Sequence, residues 1–382
     1  MRFRVERDAF AEAVAWTARS LPTRPTVPVL AGLLLDVRDH GLAVSAFDYE
    51  VSARVSLDVT AEEAGTVLVS GRLLAEITRS LPPQPVVVST EGSRVVVVCG
   101  PARFTLPTLP VEDYPTLPAM PETAGAVASD VFAAAVAQVA VAAGRDDTLP
   151  VLTGVRVEIE GETLTLAATD RYRLAVREVR WRPGSSDLSA VALVPGRTLA
   201  DTARTITGGP EVELALSTGS AGEGMVGFTG GGRRTTTRLL DGEFPKYRSL
   251  FPPEAAALAE VPTAVLTDAV KRVALVAPRN APVRLSFSAD GLVLEAGGAD
   301  DAQASEGLDA TYRGDPMTIA FNPGYLLDGL GAIEGDTARL AFTTATRPAV
   351  ITGGSGAGDG DGEPDPRGSD YRYLLMPVRL SG

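Results

Sequence analysis

The sequence predicts an α+β fold made of three repeats of one domain, each with two helices packed on antiparallel sheets. The first observation is size: 382 residues, 45% hydrophobic and 22% charged, are enough for two to four domains with real cores at ~100–200 residues each. The second is self-similarity. PVLAG at 28–32 returns as PVLTG at 150–154, and Phe10 and Asp48 return as Phe132 and Asp170, all at one shift of 122. The third is rhythm, because a helical pattern recurs every sixty-odd residues among short alternating strands, and helices set among antiparallel strands make an α+β class.

In chain order, an apolar helical pattern around Phe10 predicts a helix over 8–20. Gly71 in VSGRLLAEITRSL, Gly196 in VPGRTLADTARTI and Gly324 in NPGYLLDGLGAI each open a helix after an apolar strand, spaced 125 and 128 apart. These predict helices over 70–80, 195–207 and 323–334. The repeat of the first helix falls over 129–145, and TDAVKRVALVAPRNAPVRLSFS places a third copy over 267–280, with PVRL at Pro282 standing where PVL stood before. Alternation in TLTLAATD and GLVLEAG marks strands. Pro and Ala replace alternation at 115–128 and 252–262, so the expected domains are 1–122, 123–256 and 257–382. The stretch 353–370 holds four Asp and one Glu and nothing aliphatic larger than Ala. It is expected to be a mobile acidic loop, and its DGDG lacks the spaced ligands and closing Glu of a calcium hand.

Composition removes most chemistry. Lys+Arg 35 against Asp+Glu 48 gives −13, which does not describe a chain wrapped in nucleic acid through a generally basic surface. With Cys99 and His40 alone of their kinds, there is no disulfide framework and no Cys/His zinc site. His40, in the polar turn VRDHGLAV, is the one histidine that could activate a nucleophile, and reads as a turn residue. Asp48 and Asp170, at equivalent repeat positions, read as one structural turn or cap used twice rather than as a catalytic pair. TGGGRRTTTR matches neither phosphate-loop pattern and reads as a hairpin turn followed by a strand of Thr. No catalytic centre, metal or cofactor is expected. The N-terminus lacks a signal-peptide core and no window is apolar enough to span a membrane, so the expected location is the cytoplasm.

Charge placement is more informative. The six helices carry nine basic residues (Arg19, Arg72, Arg79, Arg145, Arg197, Arg204, Lys271, Arg272, Arg279) against eight acidic ones, so nearly all the negative charge lies elsewhere. Arg72 with Arg79, and Arg197 with Arg204, lie seven apart and share a helix face. The plain reading is a solvated face in which Glu76 and Asp201 pair with Arg72 and Arg197 at i,i+4.

The markers RPTVPVLAGLLL (24–35), FDYEVSA (47–53), VSGRLL (69–74), LPVLTGVRVE (149–158), ATDRYRLAVRE (168–178), DGEFPKYRSLFP (241–252), FNPGYLLDGL (321–330) and YLLMPVRL (373–380), in this order on a threefold repeat, resemble the bacterial sliding clamps, the β subunits of DNA polymerase III. The resemblance runs end to end. It implies a head-to-tail homodimer, a ring of six similar domains with helices lining the hole and sheets forming the rim. It further implies sequence-independent, topological binding of double-stranded DNA, no catalysis, and a cytoplasmic protein found on the nucleoid when loaded. By correspondence, Phe104 and Leu106 meet Leu275 and Val276 at the dimer contact. Arg24, Arg72, Arg79, Arg197, Arg204, Lys271, Arg272 and Arg279 are the implied DNA contacts, and the contact position beside Arg145 is Asp146 here. The implied groove for short linear peptides of the replicative polymerase, the clamp loader, other polymerases and repair proteins has walls Leu152, Thr169, Leu174, Pro245, Leu250, Leu374 and Met376. Arg173, Tyr325, Pro377, Val378 and Arg379 stand at its margin, and Arg171 and Tyr172 replace the family's Gly-His. A second clamp copy, specialised for inhibitor resistance or repair polymerases, is the alternative within the family.

Overall fold

The computed structural model describes every residue except 40, 218–223, 279–280, 299–301, 355–369 and 380–382. The first third holds β1 Arg2–Val5, α1 Arg7–Ala18, β2 Gly32–Arg38, β3 Gly41–Phe47, β4 Val51–Asp58, β5 Thr60–Glu63, β6 Gly65–Ser70, α2 Gly71–Ser80, β7 Val86–Glu91, β8 Arg94–Cys99 and β9 Ala102–Leu109. Then come β10 Thr123–Ala128, α3 Ser129–Ala140, β11 Gly154–Glu160, β12 Thr163–Thr169, β13 Arg173–Arg180, β14 Arg182–Pro183, β15 Ser189–Pro195, α4 Gly196–Thr205, β16 Glu211–Ser217, β17 Met225–Gly230 and β18 Arg233–Arg238. The chain continues with β19 Ala257–Pro262, α5 Thr263–Val273, β20 Val283–Ser288, β21 Gly291–Ala296, β22 Ala304–Leu308, β23 Thr311–Arg313, β24 Met317–Phe321, α6 Pro323–Ala332, β25 Thr337–Phe342, β26 Ala349–Gly354 and β27 Tyr371–Leu375.

Two compact units result. The first comprises Met1–Ala133, Trp181–Leu188 and Ala200–Leu239. It carries one antiparallel sheet in the order β14-β10-β16-β17-β18-β4-β3-β2-β6-β9-β8-β7-β1-β5. Its core lies between that sheet and the helices α1 and α2, where Phe3 meets Phe10 edge-on at 6.0 Å among Val14, Leu33, Leu35, Val55 and Leu74. The second unit comprises Ala134–Arg180, Ser189–Leu199 and Leu240–Gly382. It holds the sheet β15-β11-β12-β13-β27-β26-β25-β19-β23 and the smaller β22-β21-β20-β24.

The repeat shows in local geometry. Each PVL segment forms one 3-10 turn, Pro28–Ala31 and Pro150–Thr153, and runs into a glycine that starts a strand. A Cβ on Gly32 would lie 2.6 Å from Leu68 Cδ1, and one on Gly154 would lie 2.7 Å from Leu193 Cδ1. Close approach therefore requires glycine at both places. We expect Gly154→Ala to lower stability by about 1–3 kcal/mol through overpacking, seen as a lower thermal midpoint. Gly331→Ala, where a Cβ meets nothing within 4 Å inside α6, should leave the midpoint unchanged or raise it.

The two aspartates perform the turn role their spacing predicts. Asp48 Oδ1 accepts from the amides of Glu50 (3.0 Å) and Val51 (2.7 Å), and Asp170 Oδ1 accepts from those of Tyr172 (3.0 Å) and Arg173 (3.1 Å). The next residue is left-handed in both copies, Tyr49 at φ 77° and Arg171 at φ 79°. The TGGG hairpin also forms, with Gly231 (φ 57°) and Gly232 (φ 77°) between β17 and β18, the two positive φ values that a type I′ turn needs.

Several expectations need correction. α3 ends at Ala140 rather than 145, because the chain turns so that Gly144 N donates to Leu152 O at 2.7 Å; Arg145 is therefore not helical. α5 starts at Thr263, whose amide donates to Asp336 O at 2.8 Å, and gives way after Val273 to a 3-10 turn over Ala274–Val276. The Pro- and Ala-rich stretches contain β10 and β19, whose small residues hide the alternation. Gly353 and Gly354 belong to β26; the rest of the acidic stretch up to 369, like His40, lies outside the described residues.

Candidate functional site

Arg24, Arg72, Arg79, Arg197 and Arg204, and Lys271 and Arg272 on α5, are all exposed, while Arg279 lies outside the described residues. The i,i+4 pairs do not form: among the described residues Arg72, Arg79 and Arg197 have no ion pair. Arg72 instead donates to Pro22 O at 3.1 Å, drawing it toward the loop that holds Arg24. Asp201 binds Arg204 at 2.9 Å, three residues on. Lys271 lies 3.6 Å from Asp268, and Arg272 is bidentate to Glu306 at 2.5 and 3.0 Å. Arg272 is thus the most fully neutralised of the set. Asp146 spends its carboxylate on the amide and hydroxyl of Thr148, which hold its pKa below the usual range.

The expected peptide groove is built on the β13–β27 pair, where Leu174 lies opposite Leu374. These two cluster with Ala167, Val176, Leu193, Phe244 and Tyr247, and Val151, Leu240 and Phe251 pack against them. Leu174 and Leu374, expected as walls, are 1% and 3% exposed and so form a floor already covered by their own chain. Thr169 and Arg173 are buried too; the Thr169 hydroxyl donates to Arg173 O at 2.7 Å, closing the turn. What remains open is the upper layer: Tyr172, Leu250, Met376 and Val378 are 54%, 49%, 39% and 37% exposed, beside exposed Pro245 and half-buried Leu152.

Two backbone bonds hold the 376–379 segment in place, Met376 N to Tyr172 O and Val378 N to Ala320 O, both 2.8 Å. Beyond them a cavity of about 280 Å³ is lined by Ile319, Ala320, Thr346, Pro377, Val378 and Arg379. Pro377 cannot donate to a sheet ladder, so the segment ends the strand and leaves the cavity open.

Buried charge orients the aromatic margin. Arg173 donates through Nε to Asp170 (3.1 Å), through Nη1 to Asp328 on α6, and to the Tyr373 hydroxyl (3.4 Å). Its guanidinium lies 4.4 Å from the Tyr325 ring centre, and Tyr325 stacks at 6.1 Å on Tyr172. Burial works against the charge, but Tyr373, Asp328 and Asp170 outweigh it and raise the Arg173 pKa. α6 is fixed at its start by Asn322, which accepts the Tyr325 amide at 3.2 Å. A second latch holds the segment bearing Pro245 and Leu250: Glu158, 3% exposed on β11, takes Arg156 Nε at 2.5 Å, Tyr247 Oη at 2.9 Å and Arg248 at 2.5 Å. Burial would raise the Glu158 pKa, but the bonds from Arg156 and Tyr247 and the Arg248 charge bring it below its ordinary value. An apolar groove rimmed by fixed aromatics is suited to binding.

Models of the N-terminal, central and C-terminal domains of the DNA polymerase III β subunit match residues 1–118, 126–246 and 248–357. The chain belongs to that family. The β sliding clamp of Streptomyces coelicolor is 62% identical over 382 residues, 100% of both chains. The β sliding clamp homolog GriR of Streptomyces muensis is 46% identical over 380 residues, 99% of each. The crystal structure of the DNA polymerase sliding clamp from Bacillus subtilis matches with a TM-score of 0.91 at 26% identity, over 100% of both chains.

In this β subunit the expected dimer residues divide. Leu275 is 84% exposed on its 3-10 turn and Val276 is half-buried. Phe104 is partly buried against the first unit's core, and Leu106, expected at a contact between chains, is 1% exposed and inside that core. Both sit on the inward face of β9, so what that strand can offer a partner is its edge and its outward Arg103, Thr105 and Pro107, all exposed. Sequence reasoning missed the groove floor residues Phe244 and Tyr247, the latch Glu158, and Asp328. The first two stand inside DGEFPKYRSLFP and could have been found by their three-residue spacing. Glu158 has one local partner, Arg156 two residues before it, but the contacts that make these carboxylates part of the site, from Tyr247 to Glu158 and from Arg173 to Asp328, span 89 and 155 residues.

Proposed function

We propose that two copies of this clamp close head to tail around duplex DNA, forming a ring of six repeats cut near 122 and 256, and that the groove receives short linear peptides from the replicative polymerase, the clamp loader, and other polymerases and repair proteins. The full-length match to sliding clamps carries this reading. Two open strand edges support the closure. β9 bonds to β8 along 102–107 and to β6 only at Thr108 and Leu109, and β22 has β21 as its sole partner among the described residues. Such edges invite strand pairing, and because they differ in sequence the contact is heterologous, which closes when the rotation per unit divides a full turn. Leu275 adds an apolar anchor.

Enclosure then does the work of affinity. A closed ring cannot leave a circle sideways, so exposed, lightly paired Arg24, Arg72, Arg79, Arg197 and Arg204, with Lys271, need only make the hole acceptable to phosphate. Arg272, held by Glu306, contributes least. The clamp has no chemistry or cofactor of its own and works in the cytoplasm, on the nucleoid when loaded. No described helix is long and apolar enough to cross a membrane.

The test is to load the protein on circular DNA with a clamp loader and then linearise the circle. Retention only on the circle is expected; equal retention on linear DNA refutes enclosure. At the groove, Met376→Ala should weaken a labelled peptide with bulky aliphatic anchors about tenfold in solution, with the dimer intact. An unchanged affinity removes Met376 from the site.

A further inference from the structure

The pairing of β13 with β27 is repeated, in register, by β4 with β18. Arg173 lies opposite Leu375 and Val51 opposite Thr237. The chain leaves each second strand by the same bond, Met376 N to Tyr172 O and Arg238 N to Glu50 O, the latter 3.1 Å. The side chains facing away from the helices differ, however. On the groove pair they are Leu174, Val176, Glu178, Leu374 and Arg372, and Arg372 is neutralised by Glu178 at 3.2 Å. In the same places β4 and β18 carry Ser52, Arg54, Ser56, Thr236 and Arg234.

Here the polar set is left unbalanced. Ser52 and Thr236 satisfy one another at 2.6 Å. Arg54 and Arg234 are direct cross-strand partners, both exposed, and neither has an ion pair among the described residues. Like charges directly opposite on a sheet repel at ~4.5–5.5 Å between Cβ atoms. Arg238, exposed on the same face, donates through Nε to Tyr49 O at 3.0 Å, and Tyr49 is 48% exposed against Phe47. The acid in this row, Glu213, lies beyond Thr229, two strands from Arg234 and so roughly 10 Å away. Asp36, further across the sheet, is held by Arg38 and Thr66. That three arginines on one face have no ion pair among the described residues is unexpected in a chain of net −13.

We propose that this face of the first unit docks an acidic segment of a partner protein, whose carboxylates supply the missing counter-charge. Arg54 and Arg234 present two planar forks side by side, which match carboxylates bidentately; Ser56 and Thr229 offer hydroxyls to the segment's backbone, and Tyr49 closes one end. Duplex DNA is the less fitting anion, because Ala53 and Val55 of the same strand point to the opposite side, into the core under α1, and the ring reading puts the duplex on the helix side. The inference stands whether or not the groove takes peptides.

The experiment measures binding of a labelled peptide of alternating Glu and Asp to the full-length dimer at low salt, with a Gln/Asn peptide as its neutral counterpart. Selective binding of the acidic peptide is expected, weakened about tenfold in Arg54→Ser/Arg234→Thr and preserved in Arg4→Ala, an exposed arginine on another strand. The double variant should also melt at a higher temperature, since it removes a repulsive pair; a lower midpoint would assign the two arginines to the fold and overturn the proposal. The proposal is overturned if the acidic peptide fails to bind, if it binds the double variant as well as the parent, or if a labelled single-stranded DNA of equal charge binds more tightly through the same two arginines.

Discussion

Replacing Leu275 with lysine should turn the dimer into single chains of 39.7 kDa and abolish retention on circular DNA. Leu275 is 84% exposed in one protomer, on a turn that follows α5 and fixes its direction. Burying a leucine is worth ~1.5–3 kcal/mol, and an unpaired ammonium in the same apolar contact adds a desolvation penalty of several kcal/mol unless it escapes to water. A head-to-tail dimer contains this contact twice, so a loss of ~3 kcal/mol per site becomes ~6 kcal/mol for the ring, about four orders of magnitude in the dimer constant. Sedimentation equilibrium reads the mass, and an unchanged circular dichroism spectrum confirms that each chain still folds. A variant that stays dimeric would remove Leu275 from the contact and, with it, the proposed direction of closure.

The architecture was legible because the chain states it more than once. The offset of 122 between PVLAG and PVLTG, and between Asp48 and Asp170, reports places where the backbone tolerates one solution: a glycine against Leu68 or Leu193, and a carboxylate capping a left-handed turn. Features set by distant partners were not legible. Periodicity marks Leu106 as apolar but cannot say that its own core rather than a second chain covers it. Spacing puts Glu76 and Asp201 within reach of Arg72 and Arg197, yet the arginine rotamers follow other attractions, such as the Pro22 carbonyl. Alternation fails in β10 because its apolar face is made of Ala and Val beside glycine, too small to contrast with its neighbours.

The groove shows the same division at finer grain. Its anchors Leu174 and Leu374 are readable as apolar strand residues, but their opposition is a property of register, established across 200 positions of sequence. Once that register is set, the upper layer of Tyr172, Leu250, Met376 and Val378 has little choice of place, since the bonds from Met376 N and Val378 N fix one margin and the Glu158 latch fixes the segment carrying Leu250. The equivalent strands β4 and β18 keep the register and lose the leucines. Backbone repetition therefore does not carry function with it; the side chains decide which junction is apolar.

Arg173→Ala should be the most damaging single change at the groove. The residue is 6% exposed, and its side chain joins Asp170 on the turn, Asp328 on α6, Tyr373 on β27 and the face of Tyr325. Removing one partner of a buried charge network costs ~3–5 kcal/mol, because Asp170 and Asp328 lose their common cation and the Tyr325 ring loses the group beneath it. The second unit should melt earlier, and affinity for an aliphatic-anchored peptide should fall at least a hundredfold, about 2.7 kcal/mol, as the Tyr172–Tyr325 stack loses its support. Asp328→Asn separates support from simple stability. It keeps a polar group on α6 but withdraws one charge from the network, so peptide affinity should drop by a smaller factor with little change in melting. In the double variant the two effects on peptide affinity should not add, because Asp328 acts on the rim only through Arg173. Additive losses measured by calorimetric titration would mean that the aspartate touches the peptide directly and that the aromatic margin is held by something other than this arginine.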